Sequence, residues 1–204
     1  MSLHLQNKII LITDSSGFLV SLIARQLEEE GAIPCRIPLI DPELCVKEVQ
    51  EAVRRYGRID GLVNTLFENE RVGLENGDYT GFLQSLQQNV LFAYVITQAT
   101  RPWLEASGGA IVNLISQTAE TGEGNSSGYA AANGSRIGLT AAWSEELAGQ
   151  GIRVNGVVIQ SRQQLEIAET ITFLLSPAAN GLQGELLYVD KGYVHLAREV
   201  DIST

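Results

Sequence analysis

The chain has 204 residues, of which 45% are hydrophobic and 19% charged, a balance that supports one domain with a substantial core and excludes a disordered chain. Its 14 Lys and Arg against 24 Asp and Glu give a net charge of −10, which argues against nucleic acid as a partner, since phosphate binding needs clustered cations. Cys35 and Cys45 form neither a disulfide framework nor a metal-ligand spacing, so no metal site is expected and a reducing cytoplasm fits. No apolar run approaches the ~18 residues that span a membrane, and no signal-peptide pattern is present.

Lys8 to Thr13 is a short, β-branched apolar run and predicts a buried parallel strand. The polar turn Asp14-Ser15-Ser16-Gly17 leads into a helix through Glu30 that stops at Gly31. Ile33 to Ile40 predicts a second strand, with Pro34 and Pro38 in it. The two prolines have the same parity, so their missing N–H groups fall on one side, and this strand belongs at a sheet edge. Asp41 then caps a helix with Pro42 in its first position and Glu43 in its first turn, ending at Tyr56 before Gly57. Arg54, Arg55 and Arg58, the one local basic group, sit at that helix end, where cations favour the dipole.

A strand over Ile59 to Asn64 follows, then a long helix over 79–105 and a strand over Ala110 to Ile115. A second long helix over 127–148, a strand over Ile152 to Ile159, a helix over Gln163 to Leu175 and a last strand over Glu185 to Val189 complete the series. This alternation predicts a doubly wound α/β architecture of the Rossmann type: one domain over 1–204, with a parallel sheet of about six strands.

Tyr129 stands thirteen positions after Ser116, and Asn133 four positions after Tyr129. The stretch from Ser116 to Asn133 resembles the catalytic segment of the short-chain dehydrogenase/reductase family. Four further segments resemble that family in order: Arg58-Ile-Asp-Gly-Leu-Val-Asn64, Gly109-Ala-Ile-Val-Asn-Leu-Ile-Ser116, Gly151-Ile-Arg-Val-Asn155 and Gly184-Glu-Leu-Leu-Tyr-Val-Asp190-Lys-Gly192. Asn89 matches the helix asparagine of the family's catalytic tetrad. The resemblance implies NAD or NADP as cofactor, Tyr129 as proton donor and Ser116 as the group that orients a carbonyl. It further implies Asn89 and Asn133 on a relay water and the nicotinamide ribose. Thr13, Asp14, Ser15, Ser16, Gly17, Asp41 and Asn64 fall at the family's cofactor-binding positions; Asp41 has the rival reading of a plain helix cap.

The departures are also patterned. Asn133 replaces the family's lysine, whose charge draws the phenol, ordinarily near ~10, toward the working pH. In the ungapped register Asp14, Phe18 and Val20 stand at the family's three turn glycines, which let backbone approach a diphosphate at a helix N-terminus; a register shifted by one keeps Gly17 as the middle glycine but leaves Leu19 at the last. Leu66 and Phe67 replace small residues beside the cofactor, Ile159-Gln160 a Pro-Gly pair, and Lys191 a glycine. One βα unit of roughly 20–30 residues is missing after the first helix, and Gln160 to Gln164 are too short for a substrate lid. Arg136, two helical turns or ~10 Å beyond Tyr129, is expected to lie too far off to replace the lost cation.

Dinucleotide binding is therefore expected to be weak or absent. The leading expectation is a degenerate homologue with little or no oxidoreductase activity that acts in binding or assembly. Its rivals are an active NAD(P)-dependent oxidoreductase of a carbonyl or alcohol, and a nucleotide-responsive regulator. The substrate and the NAD or NADP preference stay open. Phe82, Leu86, Val90, Ala93 and Thr97, with Ile137, Ala141, Trp143, Ser144 and Leu147, mark stripes on the two long helices. A homo-oligomer, dimer or tetramer, is expected to pair through those helices.

Overall fold

The computed structural model describes residues 3–14, 17–66, 69–160 and 164–197. Among them, six strands form one parallel sheet: β1 (Ile9–Asp14), β2 (Ile33–Pro38), β3 (Gly61–Asn64), β4 (Ala110–Ser116), β5 (Arg153–Ile159) and β6 (Leu186–Val189), ordered β2-β1-β3-β4-β5-β6. The helices are α1 (Phe18–Glu29), α2 (Pro42–Tyr56), α3 (Tyr79–Leu86), α4 (Phe92–Ser107), α5 (Thr118–Thr121), α6 (Ser127–Ala148) and α7 (Gln164–Leu175).

Side-chain alternation along the strands divides the core between the two faces. Ile10 and Ile12 of β1 meet Val20, Ile23 and Leu27 of α1 and Ile167, Ile171 and Leu174 of α7. Leu11 points the other way, to Cys45 and Val49 of α2, Phe92 and Ile96 of α4, and Trp143 and Leu147 of α6. With both faces covered, the central strands are predominantly apolar rather than alternating, which is how the first run reads in the sequence.

β2 pairs with β1 alone, Pro34 lying opposite Ile10 and Pro38 opposite Asp14. The sheet edge that the two prolines require is where this strand lies. The strand stops at Pro38, short of the expected Ile40, whose side chain is exposed. Asp41 caps α2 through Oδ1, which accepts from Glu43 N at 2.8 Å and Leu44 N at 3.2 Å; Gly57, at φ 72°, ends the helix. Arg54 and Arg55 lie in its last turn, whereas Arg58 turns away to the Asp60 carboxylate.

The helix expected over 79–105 is not uniform. α3 passes into a π-helical turn, Gln87–Leu91, before α4 resumes, with Phe92 N–H donating to Gln87 O. That wide turn is centred on Asn89. Sequence periodicity did not reveal it: a single π turn inside a longer helix carries no cap or breaker residue to mark it. The chain leaves β1 on one side for β2 and returns on the other for β3 and β4. The order thus reverses between β1 and β3, and the ends of these strands bound the crevice where doubly wound sheets hold ligands.

Candidate active site

At that crevice the strand ends are stitched together. Thr65 N donates to Thr13 Oγ1 at 2.7 Å, and Thr65 Oγ1 donates to Thr13 O at 2.6 Å. Thr13 and Thr65 are both buried. Leu66, next in the chain, packs onto the core layer that holds Ile12 and Val20. Asp14 lies 3.7 Å from Arg36 of β2, which sets a carboxylate and a guanidinium at the mouth of the turn. Gly17 is the N-cap of α1 at φ −93°, a conformation open to any residue, and a Cβ there meets nothing within 4 Å. Ser15, Ser16 and Phe67 lie outside the described residues. Asp41 is engaged in its helix cap. Asn64 is fully buried, with Nδ2 donating to Asn113 Oδ1 at 2.8 Å and to Thr97 Oγ1 at 3.2 Å.

The other sequence-predicted residues gather where α6 crosses the ends of β3 and β4. Ser126 caps α6, its Oγ accepting from Tyr129 N at 3.1 Å. Gly128 lets the helix start close against α3, because a Cβ there would lie 2.9 Å from Ser85 Cβ. This fixes Tyr129, which is 7% exposed. Ser116 ends β4; its Oγ pairs with Thr118 Oγ1 at 3.0 Å, and Thr118 N donates back to it at 3.3 Å. Asn133 ties the two elements together: its Oδ1 accepts from Ser116 N at 2.8 Å and its Nδ2 donates to Tyr129 O at 2.9 Å. Asn133 is wholly buried.

Arg136 departs from expectation. It is 2% exposed, with Nη1 donating to Asn89 O and Nη2 to Asn64 O, each at 2.7 Å. It joins no ion pair among the described residues, and its Nε has no partner. Burial pulls its pKa down to about 10, opposed by the Tyr129 charge. The expected separation of two helical turns counted Cα rise alone. Long side chains on a helix lean toward its N-terminus, which carries this guanidinium from its own turn back toward Tyr129.

A polar ladder unassigned by the sequence reading supports the cluster. Asn113 Nδ2 donates to Thr140 Oγ1 at 3.0 Å, and Thr140 Oγ1 donates to Arg136 O at 2.8 Å. Its signal was present in Ala110-Ile-Val-Asn113-Leu-Ile: a polar side chain inside a buried strand demands a partner. The loop after β4 is also held from β6 and from the turn that follows it. Tyr188 donates its hydroxyl to Glu120, and Tyr193 donates to Glu123. Burial, and then the Glu120 contact and charge, push the Tyr188 phenol up to about 12, so it stays a donor. Beside the start of α6 an open cleft of about 720 Å³ is lined by Leu74, Glu75, Asn76, Asn125, Ser127 and Ala130. No helix among the described residues is long and apolar enough to cross a membrane, and no group of three or more His, Cys, Asp or Glu among them is placed to hold a metal ion.

A doubly wound parallel sheet that collects serine, tyrosine and asparagine at its carboxyl ends defines a Rossmann-type α/β protein of the dehydrogenase kind. Comparison with known proteins narrows the class. The family model described as short chain dehydrogenase matches residues 2–161, and the chain belongs to that family. It is 28% identical over 188 aligned residues to the 3-oxoacyl-[acyl-carrier-protein] reductase FabG of Thermotoga maritima, covering 79% of this chain and 76% of the relative. It is 29% identical over 201 to the cis-4-hydroxycyclohexanecarboxylate dehydrogenase of Sinomonas cyclohexanicum, covering 84% and 81%. The crystal structure of Cj0485 dehydrogenase superposes with a TM-score of 0.90 at 25% identity, covering 96% of this chain and 97% of the other.

Members of this family generally use NAD(P). The residues present here do not make the expected clamp for it. Asn133, at the ribose-binding lysine position, is sealed from solvent with its oxygen and nitrogen both engaged. Asn64 faces inward, and Leu66 covers the core where small residues would leave space.

Proposed function

We propose that this chain is a short-chain dehydrogenase homologue with little or no oxidoreductase activity, acting as a binding or assembly protein. The observation that carries the reading is Asn133. The position that should offer a cation to the nicotinamide ribose is instead a buried tie between β4 and α6. Both cysteines are free, in keeping with a reducing, cytoplasmic setting. Calorimetric titration with NAD, NADH, NADP and NADPH tests the reading. The expected dissociation constants are millimolar or weaker, about −4 kcal/mol of binding free energy. Micromolar affinity for any of the four would overturn it. Binding without turnover would favour a nucleotide-responsive regulator instead.

A second reading, an active NAD(P)-dependent oxidoreductase of a carbonyl or alcohol, is favoured by one observation. Ser116 and Tyr129 are linked through Asn133, with Asn89 bonded to the same buried cation that acts on Tyr129. In that reading Tyr129 donates the proton and Ser116 orients the substrate oxygen. Turnover of small carbonyl compounds with either reduced dinucleotide is the result that would establish it.

A further inference from the structure

The family's lysine is gone, yet the cluster is not without a positive charge. We infer that Arg136 is a positioning residue that takes over the electrostatic part of that lysine's role, stabilising the Tyr129 phenolate from inside α6, while Asn133 serves only as the tie between β4 and α6. Three observations carry this. First, residues 129, 132, 133, 136 and 140 form the buried face of α6, so Tyr129 and Arg136 point into one interior. Second, the guanidinium is fixed rather than mobile: Nη1 is held by Asn89 O on the π turn and Nη2 by Asn64 O at the end of β3, both at 2.7 Å. Third, no carboxylate is paired with it among the described residues, so its field is not cancelled locally.

A buried cation held only by carbonyl oxygens is costly unless something nearby benefits from its charge. The ionisable groups on the elements packed against α6 are otherwise engaged or distant. Glu120 of α5 accepts from Tyr188, and Glu70, before α3, accepts from Ser85 Oγ. Tyr79 opens α3 and is exposed, and Arg153, at the far end of β5, binds the Leu174, Ser176 and Ala179 carbonyls. Tyr129 is the ionisable group on this face that couples to Arg136, and the coupling runs both ways: ionisation of the phenol raises the proton affinity of Arg136. By reciprocity the cation favours the phenolate. Arg136 keeps its proton below about pH 10, so the field is present at neutral pH. None of this requires a bound dinucleotide, and failure of cofactor binding leaves the inference standing.

The test is a pH titration of the tyrosine rings by NMR of ring-labelled protein, with the Tyr129 signal assigned by its loss in Tyr129→Phe. In the wild type, Tyr129 is expected to titrate at or below the ordinary phenol value of ~10, although burial alone would push it higher. Arg136→Met is expected to raise its proton affinity at least about tenfold, and Arg136→Lys to restore part of the difference. A folded Arg136→Met protein with an unchanged Tyr129 titration overturns the inference. If Arg136→Met does not fold, the wild type decides: a Tyr129 midpoint above that of a free phenol overturns it, and one at or below supports it.

Discussion

Asn133 shows how one side chain can keep a site's architecture without supplying a charge of its own. Its oxygen satisfies Ser116 N and its nitrogen the Tyr129 carbonyl, so the serine and the tyrosine stay in register without a charge between them. A lysine placed there by substitution is expected to fail twice. It cannot accept from Ser116 N, which leaves a buried donor unsatisfied at a cost of ~1–3 kcal/mol. It also sets an ammonium one helical turn from the buried Arg136 guanidinium, a like-charge contact with no carboxylate among the described residues paired to relieve it. Asn133→Lys is therefore expected to lower the unfolding free energy by about that amount, read as a lower urea midpoint at unchanged slope, and to create no dehydrogenase. A single variant that reduced common carbonyl compounds at rates ordinary for this family would show that the rest of the site is intact.

Elements, rather than single residues, carry most of what the sequence made legible. The parity of Pro34 and Pro38 placed β2 at the sheet edge, because a missing N–H is a local fact with a global consequence. Asp41, Pro42 and Gly57 marked both ends of α2 for similar reasons. Asp41→Ala should therefore cost ~1 kcal/mol of stability by loss of its two N–H contacts, and a dinucleotide titration should not register the change. What stayed illegible depends on long-range geometry: the π turn at Asn89, the direction of Arg136, and the two tyrosines, Tyr188 in β6 and Tyr193 after it, that hold the loop after Ser116.

Asp60 is another such tie. Just before β3, it accepts from Lys8 Nζ at 3.0 Å, Ile9 N at 3.0 Å and Arg58 Nε at 2.8 Å, which locks the starts of β1 and β3 together. Burial pushes its pKa up, but the Arg58, Ile9 and Lys8 hydrogen bonds and the Lys8 charge together outweigh it and hold the carboxyl below its ordinary value. On acidification, then, the unfolded chain takes up the proton first. The stability from this group is complete above ~3.9 and is lost as pH falls through the lower, folded value. Asp60→Asn is expected to lose ~1–3 kcal/mol at neutral pH and to flatten the acid limb of a urea-midpoint-against-pH curve. An unchanged limb would mean that Asp60 makes no contribution to the acid transition.

At the scale of the molecule, the two long helical segments present a surface that the monomer leaves unused. Leu83, Leu91, Tyr94 and Trp103 on α3, the π turn and α4 are each more than a third exposed. Tyr94, Gln98 and Arg101 share a shallow cleft of about 180 Å³ with Trp143 and Glu146, so the outer faces of α4 and α6 are continuous. Along α6 that face is made of small residues: Ala131 and Ala141 are exposed, and a Cβ built on Gly134 or Gly138 meets nothing within 4 Å. Residues of the expected stripes divide accordingly, with Ala93, Thr97, Trp143 and Leu147 turned to the core and Ala141 to solvent. Small residues on one helix and aromatic ones on its neighbour suit a twofold partner, since each protomer offers both a smooth track and the side chains to fill it. A stable interface of this kind buries about 800 Å² per protomer. Light scattering at micromolar concentration is therefore expected to give twice the 22.1 kDa chain mass, and Leu91→Glu with Tyr94→Glu to return a folded monomer, because each places a charge at the centre of the shared face. A wild-type protein found only as a 22.1 kDa species would leave that face to another partner and remove self-assembly from the proposed role.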